Sequence, residues 1–506
     1  MKVLLVYPEY PETFWSFNHA LKFISKKASF PPLGLLTIAA MLPGEWEKKL
    51  VDMNIAELND ADIKWADYVL ISAMVVQKNS VNEVIVRCKD LGTKTVAGGP
   101  LFTTGHDEFE GVDHFVLGEA EITLPLFLED LARGCAKSIY TSSGRPDIEK
   151  TPVPLWSLIN MKKYSSMSFQ YSRGCPFDCD FCDIIILNGH KPRTKSRGQI
   201  FAELEALYSH GWRGSIFVVD DNFIGNKNKL KAETLPAMIE WSKEKKYPFI
   251  FFAEASINLA DDEGLMRSMI EAGFDRVFVG IETPSEEGLA ECNKQQNKGR
   301  DLVVAVKKIQ NFGFEVQGGF IVGFDSDPIS IFKSQVNFIQ KSGIATAMVG
   351  LLNAPRGTKL YRRLKEEGRL LGNFTGNNTD IAMNFVPKMN YETLVSGYKH
   401  ILETIYAPQQ YYERIRTLLK EYRPPHLKER VHHLKFQHIE GFIKSVWVLG
   451  IKEKGRRYYW KLMVSTLFKH PRSFPLSVTL SVFGFHFRKV AEKLSNTQIE
   501  DSPVSG

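Results

Sequence analysis

Three cysteines, Cys175, Cys179 and Cys182, stand in the run Tyr171-Ser-Arg-Gly-Cys-Pro-Phe-Asp-Cys-Asp-Phe-Cys182, at C-x3-C-x2-C spacing. Thiolates this close in sequence suit a soft metal centre. A structural zinc ion or an ordinary iron–sulfur cluster takes four protein ligands, and no fourth cysteine lies nearby. Three thiolates would leave one iron of a [4Fe–4S] cluster open, and an open metal position is a place for chemistry. Inert core cysteines, which would not need this spacing, are one alternative, and zinc is the other. It would need His190 as fourth ligand, and no second cysteine pair follows at finger-like spacing. Disulfides are not expected, because the six cysteines are unevenly spread and the apolar start, Met1-Lys-Val-Leu-Leu-Val-Tyr7, is too short for a secretory segment. Cys292 stands alone and is expected in the core, as are Cys88 and Cys135 on helix-like stretches.

The elements that would carry this motif are α/β in pattern. Through residue 145, short apolar strands (Lys2–Tyr7, Lys49–Met53, Tyr68–Met74, Thr95–Ala97, His114–Leu117) alternate with helical stretches such as Leu33–Leu42 and Val81–Leu91. That alternation predicts a parallel sheet covered by helices, with ligands at the carboxyl ends of its strands. Those ends carry Tyr7-Pro8, Ser72-Ala73-Met74, Gly98-Gly99-Pro100 and Gly118-Glu119. Glycines there permit close backbone approach to a bulky ligand, or serve ordinary turns.

A Pro/Ser-rich stretch, Thr141 to Trp156, reads as the start of a linker set at 146–165. From Ser166 a second series begins, with strands at Met167–Tyr171, Ser215–Asp220, Phe249–Ala253, Arg276–Ile281, Glu315–Val322 and Thr346–Leu352. Helical stretches such as Gln199–Ser209, Asp262–Ala272 and Ser330–Lys341 separate them. Six βα units over 166–370 predict a partial or full barrel with its site at the strand C-termini. The cysteines follow the first strand, which is that location. Residues 371–506 lose the rhythm: an Asn/Gly-rich loop to Met389, helical patterns, a break at Arg423-Pro-Pro-His426, then an aromatic, basic tail.

Composition sets outer limits. A 44% apolar content excludes global disorder, and no apolar run reaches the roughly 18 residues of a membrane span. The net charge of +6 is uneven: residues 401–506 hold 18 Lys/Arg and 9 Asp/Glu. A cytoplasmic, reducing compartment suits the thiols.

C-x3-C-x2-C after the first strand of a partial βα barrel resembles the radical SAM superfamily. The resemblance implies that Cys175, Cys179 and Cys182 hold a [4Fe–4S] cluster. It further implies that S-adenosylmethionine (SAM) chelates the fourth iron. One electron from an external donor such as flavodoxin or ferredoxin then yields a 5′-deoxyadenosyl radical. Four other segments are similar to the family's SAM contacts. Val218-Val-Asp-Asp-Asn222 would offer Asp220 and Asp221 to the SAM ammonium, although a helix cap is its bland reading. Val279-Gly-Ile-Glu-Thr-Pro284 would offer Glu282 to the ribose. Gly318-Gly-Phe-Ile-Val-Gly-Phe-Asp325, with Gly319, would pack the adenosine, and Asn353 in Leu352-Asn-Ala-Pro355 lies where backbone meets adenine.

Ahead of the barrel, Pro31-Pro-Leu-Gly34, Ala97-Gly-Gly-Pro100 and Gly118-Glu-Ala-Glu121 resemble the cobalamin-binding radical SAM class. The resemblance covers roughly residues 1–370. It implies a Rossmann-like cobalamin domain at 1–145, with contacts from Ser72, Met74, Gly98, Gly99, Gly118 and Glu119. The D-x-H-x-x-G motif that supplies a cobalt ligand in many such domains is absent; His19 and His106 sit outside that pattern. The tail, expected to be mainly helical, is similar to that of a subgroup with hopanoid C-2 methylases and bacteriochlorophyll side-chain methyltransferases. The reading implied is methylation of an unactivated carbon of a hydrophobic lipid or tetrapyrrole. No catalytic acid or base is singled out. The basic, aromatic tail would suit peripheral contact with the inner face of a membrane, or be an ordinary helical cap; no nucleic-acid module is seen. The alternatives are non-methylating radical chemistry, such as cyclisation, ring contraction or carbon–carbon coupling, and a metal-stabilised binding protein without turnover.

Overall fold

The computed structural model describes residues 1–372, 374–425 and 436–497. Its first layer is a parallel sheet of β1 (Lys2–Tyr7), β2 (Glu47–Asp52), β3 (Tyr68–Ser72), β4 (Lys94–Gly98), β5 (His114–Val116) and β6 (Ile139–Tyr140). The strand order is β2-β1-β3-β4-β5-β6. β1 lies between β2 and β3 and is covered on both faces, which is why Val3 to Val6 form an unbroken buried run. The chain reverses direction across the sheet between β1 and β3, the point where such sheets open a crevice at their carboxyl edge. β6 went unread in the sequence because it has two residues.

β7 (Met167–Phe169) starts the second sheet. An antiparallel ribbon follows it, β8 (Ser172–Arg173) and β9 (Arg193–Thr194), which brackets the cysteine loop. β10 (Ser215–Val218), β11 (Ile250–Glu254), β12 (Phe274–Glu282), β13 (Glu315–Val322) and β14 (Ala347–Leu351) continue the sheet in sequential parallel order, with β7 and β14 at its edges. Helices between the strands start on local caps. Ser196 and Gln199 form a capping box for the helix Arg197–Ser209, and Asp262 caps Glu263–Ala272. Gly273, at φ +105°, ends that helix and turns directly into β12.

The C-terminal region is helical, as the tail's pattern predicts: Tyr391–Tyr406, Pro408–Glu421, Phe436–Trp447, Arg456–Lys469 and Phe474–Asn496. It is fastened to both other regions. Buried Arg414 donates to the carbonyls of Ala345 and Ile405, and Phe487 stacks on Phe14 at 4.0 Å. Of the expected break Arg423-Pro-Pro-His426, His426 lies outside the described residues. Among the described residues no helix is long and apolar enough to cross a membrane.

Candidate active site

The cysteine loop leaves the carboxyl end of β7 and is bound to its surroundings by backbone. Gly174, at φ +102°, donates its N–H to Asp221 Oδ2 at 3.0 Å; a Cβ there would sit 2.9 Å from the Gly189 and Lys191 carbonyl oxygens. Cys175 N–H donates to Gly189, Cys182 N–H to Cys179, and Asp180 N–H to Cys292. Burial raises the thiol pKa of all three motif cysteines, and the ammonium of Lys294 opposes that rise in each. The charge of Cys179 acts on both of its companions. Three thiols sharing one loop and one nearby cation are a fitting donor set for a cationic cluster. Among the described residues no three His, Cys, Asp or Glu are gathered around a single-ion site. His190 lies 3.9 Å from Asp178. Cys292 is buried beneath the loop, its thiol pushed up to about 12 by burial, and Cys88 is likewise buried. Cys135, expected in the core, is exposed, because it follows the end of its helix.

The strand ends around this loop carry the other expected residues. Asp220 accepts from Tyr171 N–H at 2.8 Å and Ser172 Oγ–H at 2.5 Å, and burial pushes its carboxyl up to about 7. Its two oxygens therefore hold the start of β8 to the end of β10. Asp221 accepts from Gly174 N–H and from Asn188 Nδ2 at 3.0 Å each, so it braces the cysteine loop. Glu282 ends β12 at φ +63°, a region side chains seldom adopt, and pairs with Lys294 at 2.6 Å. Gln335 fixes that bend by donating to the carbonyls of Glu282 and Ile321. Gly319 makes room for the Phe278 ring, which a Cβ would approach to 2.8 Å. Asn353 accepts from Asn384 N–H at 3.1 Å, and Asn384 closes the pair against the backbone of Ala354. Sequence reasoning passed over Glu254. It ends β11 with a carboxyl pushed up to about 8, by burial first and by Asp221, Asp220 and Glu282 besides. Its position at a barrel strand terminus was the available signal.

The first sheet presents its carboxyl edge to the same region. Ser72 ends β3, and Gly99, at φ +89°, lies so close that a Cβ would meet Ser72 Oγ at 2.5 Å. A Cβ on Gly98 would meet the Val116 carbonyl. Half-exposed Met74 receives the Tyr10 hydroxyl on its sulfur at 3.3 Å. Gly118, at φ +76°, has open space where its Cβ would be and is held by Thr103 Oγ1. Together these form a shallow edge free of bulky side chains at two strand ends, which suits a wide, flat ligand. Of the histidines outside the cobalt-ligand pattern, His19 pairs with Glu12 at 2.6 Å and His106 rests on Phe115.

Glu119 joins the first sheet to the ribbon that brackets the cysteine loop. Its carboxylate accepts from Arg173 at 2.9 Å and from Arg193 at 2.9 and 2.7 Å. Arg173 also holds Glu121, at 2.8 Å. These groups are largely sequestered from water, and Arg173 stands two residues before Cys175. A loop after β14 adds a second bridge: a Cβ on Gly376 would lie 2.7 Å from Val76 N, and one on Gly350 2.9 Å from the Asn378 carbonyl.

Comparison with known proteins agrees with this arrangement. Residues 24–128 match the B12 binding domain, residues 169–336 the Radical SAM superfamily, and residues 358–500 a domain of unknown function, DUF4070. The chain is 40% identical to an uncharacterized methyltransferase of Synechocystis sp., over 99% of this chain and 94% of that protein. It is 32% identical to the hopanoid C-2 methylase of Rhodopseudomonas palustris, over 92% of this chain and 90% of that protein. The methyltransferase TsrM of Kitasatospora setae, solved with cobalamin and a [4Fe–4S] cluster, shares the fold at TM-score 0.61 and 12% identity, over 98% of this chain and 99% of that one. The fold and site define a cobalamin-dependent radical SAM enzyme, with [4Fe–4S], SAM and cobalamin as cofactors. The chain belongs to the radical SAM methylase family that includes hopanoid C-2 methylase. As such it draws on an electron donor and acts on a small-molecule substrate.

Proposed function

We propose that this enzyme methylates an unactivated carbon of a hydrophobic polycyclic lipid of hopanoid type. The observation that carries the reading is the meeting of the two cofactor edges: the cysteine loop and the first sheet's glycine-bearing strand ends are tied together through Glu119 and Arg173. When bound, cluster and SAM supply a radical able to take hydrogen from an unactivated C–H bond, and cobalamin supplies the methyl group.

Cys175, Cys179 and Cys182 hold the cluster, with Lys294 offsetting their negative charge. Asp221, Glu282, Gly319 and Asn353 border the SAM site. Asp220 holds the chain that leads into the loop, because its oxygens are engaged by Tyr171 and Ser172. Ser72, Met74, Gly98, Gly99 and Gly118 border the cobalamin, and Glu119 positions its edge against the loop. The cobalamin domain spans 1–145, the linker 146–165, the barrel 166–370 and the helical region 371–506. Flavodoxin or ferredoxin supplies the electron. A water-insoluble substrate calls for peripheral contact between the helical region and the inner face of the membrane. Lipid profiling of a strain lacking this protein tests the substrate class. A polycyclic lipid should vanish while its counterpart lacking one CH2 unit accumulates; an unchanged lipid profile with an altered water-soluble metabolite would overturn the reading.

A further inference from the structure

Nine of the seventeen large apolar side chains exposed on the described surface fall between Ile439 and Phe468. They are ordered. On the helix Phe436–Trp447 and the turn after it, Ile439, Ile443, Trp447 and Ile451 recur every fourth residue, which aligns them along one face. On the helix Arg456–Lys469, Tyr459, Leu462 and Met463 pack into the protein, while Trp460, Val464, Leu467 and Phe468 form a second apolar face turned to solvent. Phe468 is 79% exposed. A helix apolar around this much of its circumference is normally covered on more than one side. The two stripes meet where the Trp460 indole N–H donates to the Gly450 carbonyl at 2.9 Å, beside Ile451.

Cations frame this face. Residues 436–473 hold eight Lys/Arg and two Glu. Both glutamates are engaged, Glu440 by Lys444 and Glu453 by Arg488. An open depression of about 590 Å³ has Trp460, Val464 and Phe468 on its walls and Arg416, Lys461 and Lys469 among its lining residues. Apolar and indole side chains ringed by cations match a bilayer interface, where indoles sit at headgroup level and bases meet anionic lipid.

We infer that the face formed by Phe436–Trp447 and Arg456–Lys469 seats the enzyme on an anionic lipid bilayer, with Trp447, Trp460 and Phe468 entering the headgroup layer. This assigns a surface to the membrane contact proposed above and rests on that reading only for its purpose; the exposed residues stand independently of the substrate. The test is flotation of the reconstituted full-length enzyme with vesicles of phosphatidylcholine alone, or mixed with phosphatidylglycerol. Binding should be at least ten-fold stronger to the mixed vesicles and weaken with salt. Trp447→Ser with Phe468→Ser should lower it ten-fold or more, as should Lys461→Glu with Lys469→Glu, while SAM cleavage in solution keeps its parental rate. No flotation, equal flotation on both vesicles, or a dimer dispersed by Phe468→Ser in place of vesicle binding would each overturn the inference. Vesicle binding without methylation of any lipid would instead count against the proposed substrate.

Discussion

Glu119, at the carboxyl edge of the first sheet, accepts a 2.9 Å hydrogen bond from Arg173, 54 residues away in sequence and two residues ahead of Cys175. With Arg193 on the same carboxylate and Glu121 on Arg173, this pair links the cobalamin-type edge to the cysteine loop. Pairs this sequestered contribute little net stability, but removing Glu119 takes the carboxylate from Arg193 and leaves Arg173 to Glu121 alone. Its consequence here is geometric, because radical formation and methyl delivery must address the same carbon. Glu119→Gln should therefore slow methylation by about 10²-fold while SAM cleavage falls far less. The measurement is the ratio of 5′-deoxyadenosine to methylated product, which should rise. Equal loss of both would mean that the pair only holds the fold.

Cys175→Ala, Cys179→Ala and Cys182→Ala should each lose iron, sulfide and SAM cleavage to background. The fold should survive, because the loop is tied by backbone bonds from Gly174, Cys175 and Asp180. Iron and sulfide assay with far-ultraviolet circular dichroism checks this. Normal iron content in all three variants would remove the cysteines from the cluster.

Gly174→Ala tests the loop without touching a ligand. The substitution meets a φ of +102° and two carbonyl oxygens 2.9 Å from the new Cβ. A cost of about 1–3 kcal/mol is expected, seen as lower cluster occupancy with an unchanged helical content. Full occupancy would show that the loop yields more easily than its packing indicates.

Much of this site was legible because its chemistry is local. The cysteine spacing lies within eight residues, and the strands that surround it are apolar runs with glycine or acid at their ends. β13 has the bounds its sequence predicts, Glu315–Val322, since it is buried along its length. The ribbon of β8 and β9 has two residues per strand and no periodicity to read. The Glu119 pair and the pairing of Asp220 with Ser172 depend on residues 54 and 48 positions apart, which spacing alone does not join. Glu254 owes its shifted carboxyl to burial first and then to carboxylates brought in from other strand ends. The tail was expected to be mainly helical, but the bounds of Arg456–Lys469, and which of its apolar faces is covered, required the packed structure.

His486 predicts a pH dependence of stability. It is buried beside Phe14, whose carbonyl its ring meets at 3.0 Å, with His19 and Glu12 nearby. Burial pushes its pKa down to about 4 from 6.5. The unfolded chain then takes a proton that the folded chain refuses, so the stability contribution is intact above pH 6.5 and is lost as pH falls towards 4. The loss should reach about 3 kcal/mol at most. Thermal unfolding at pH 7.5 and pH 5 should show a smaller acid-induced drop for His486→Gln than for the parent. An equal drop would place the sensitivity elsewhere.

The central claim is that one site both cleaves SAM and delivers a methyl group. The most direct measurement is mass spectrometry of a lipid extract incubated anaerobically with reductant, SAM carrying a CD3 group, and enzyme loaded with cluster and cobalamin. The account predicts 5′-deoxyadenosine together with a lipid that has gained one CD3 group, and no labelled lipid from enzyme loaded with cluster alone. Labelled lipid formed equally well without cobalamin, or 5′-deoxyadenosine accompanied by an unmethylated rearranged lipid, would contradict it.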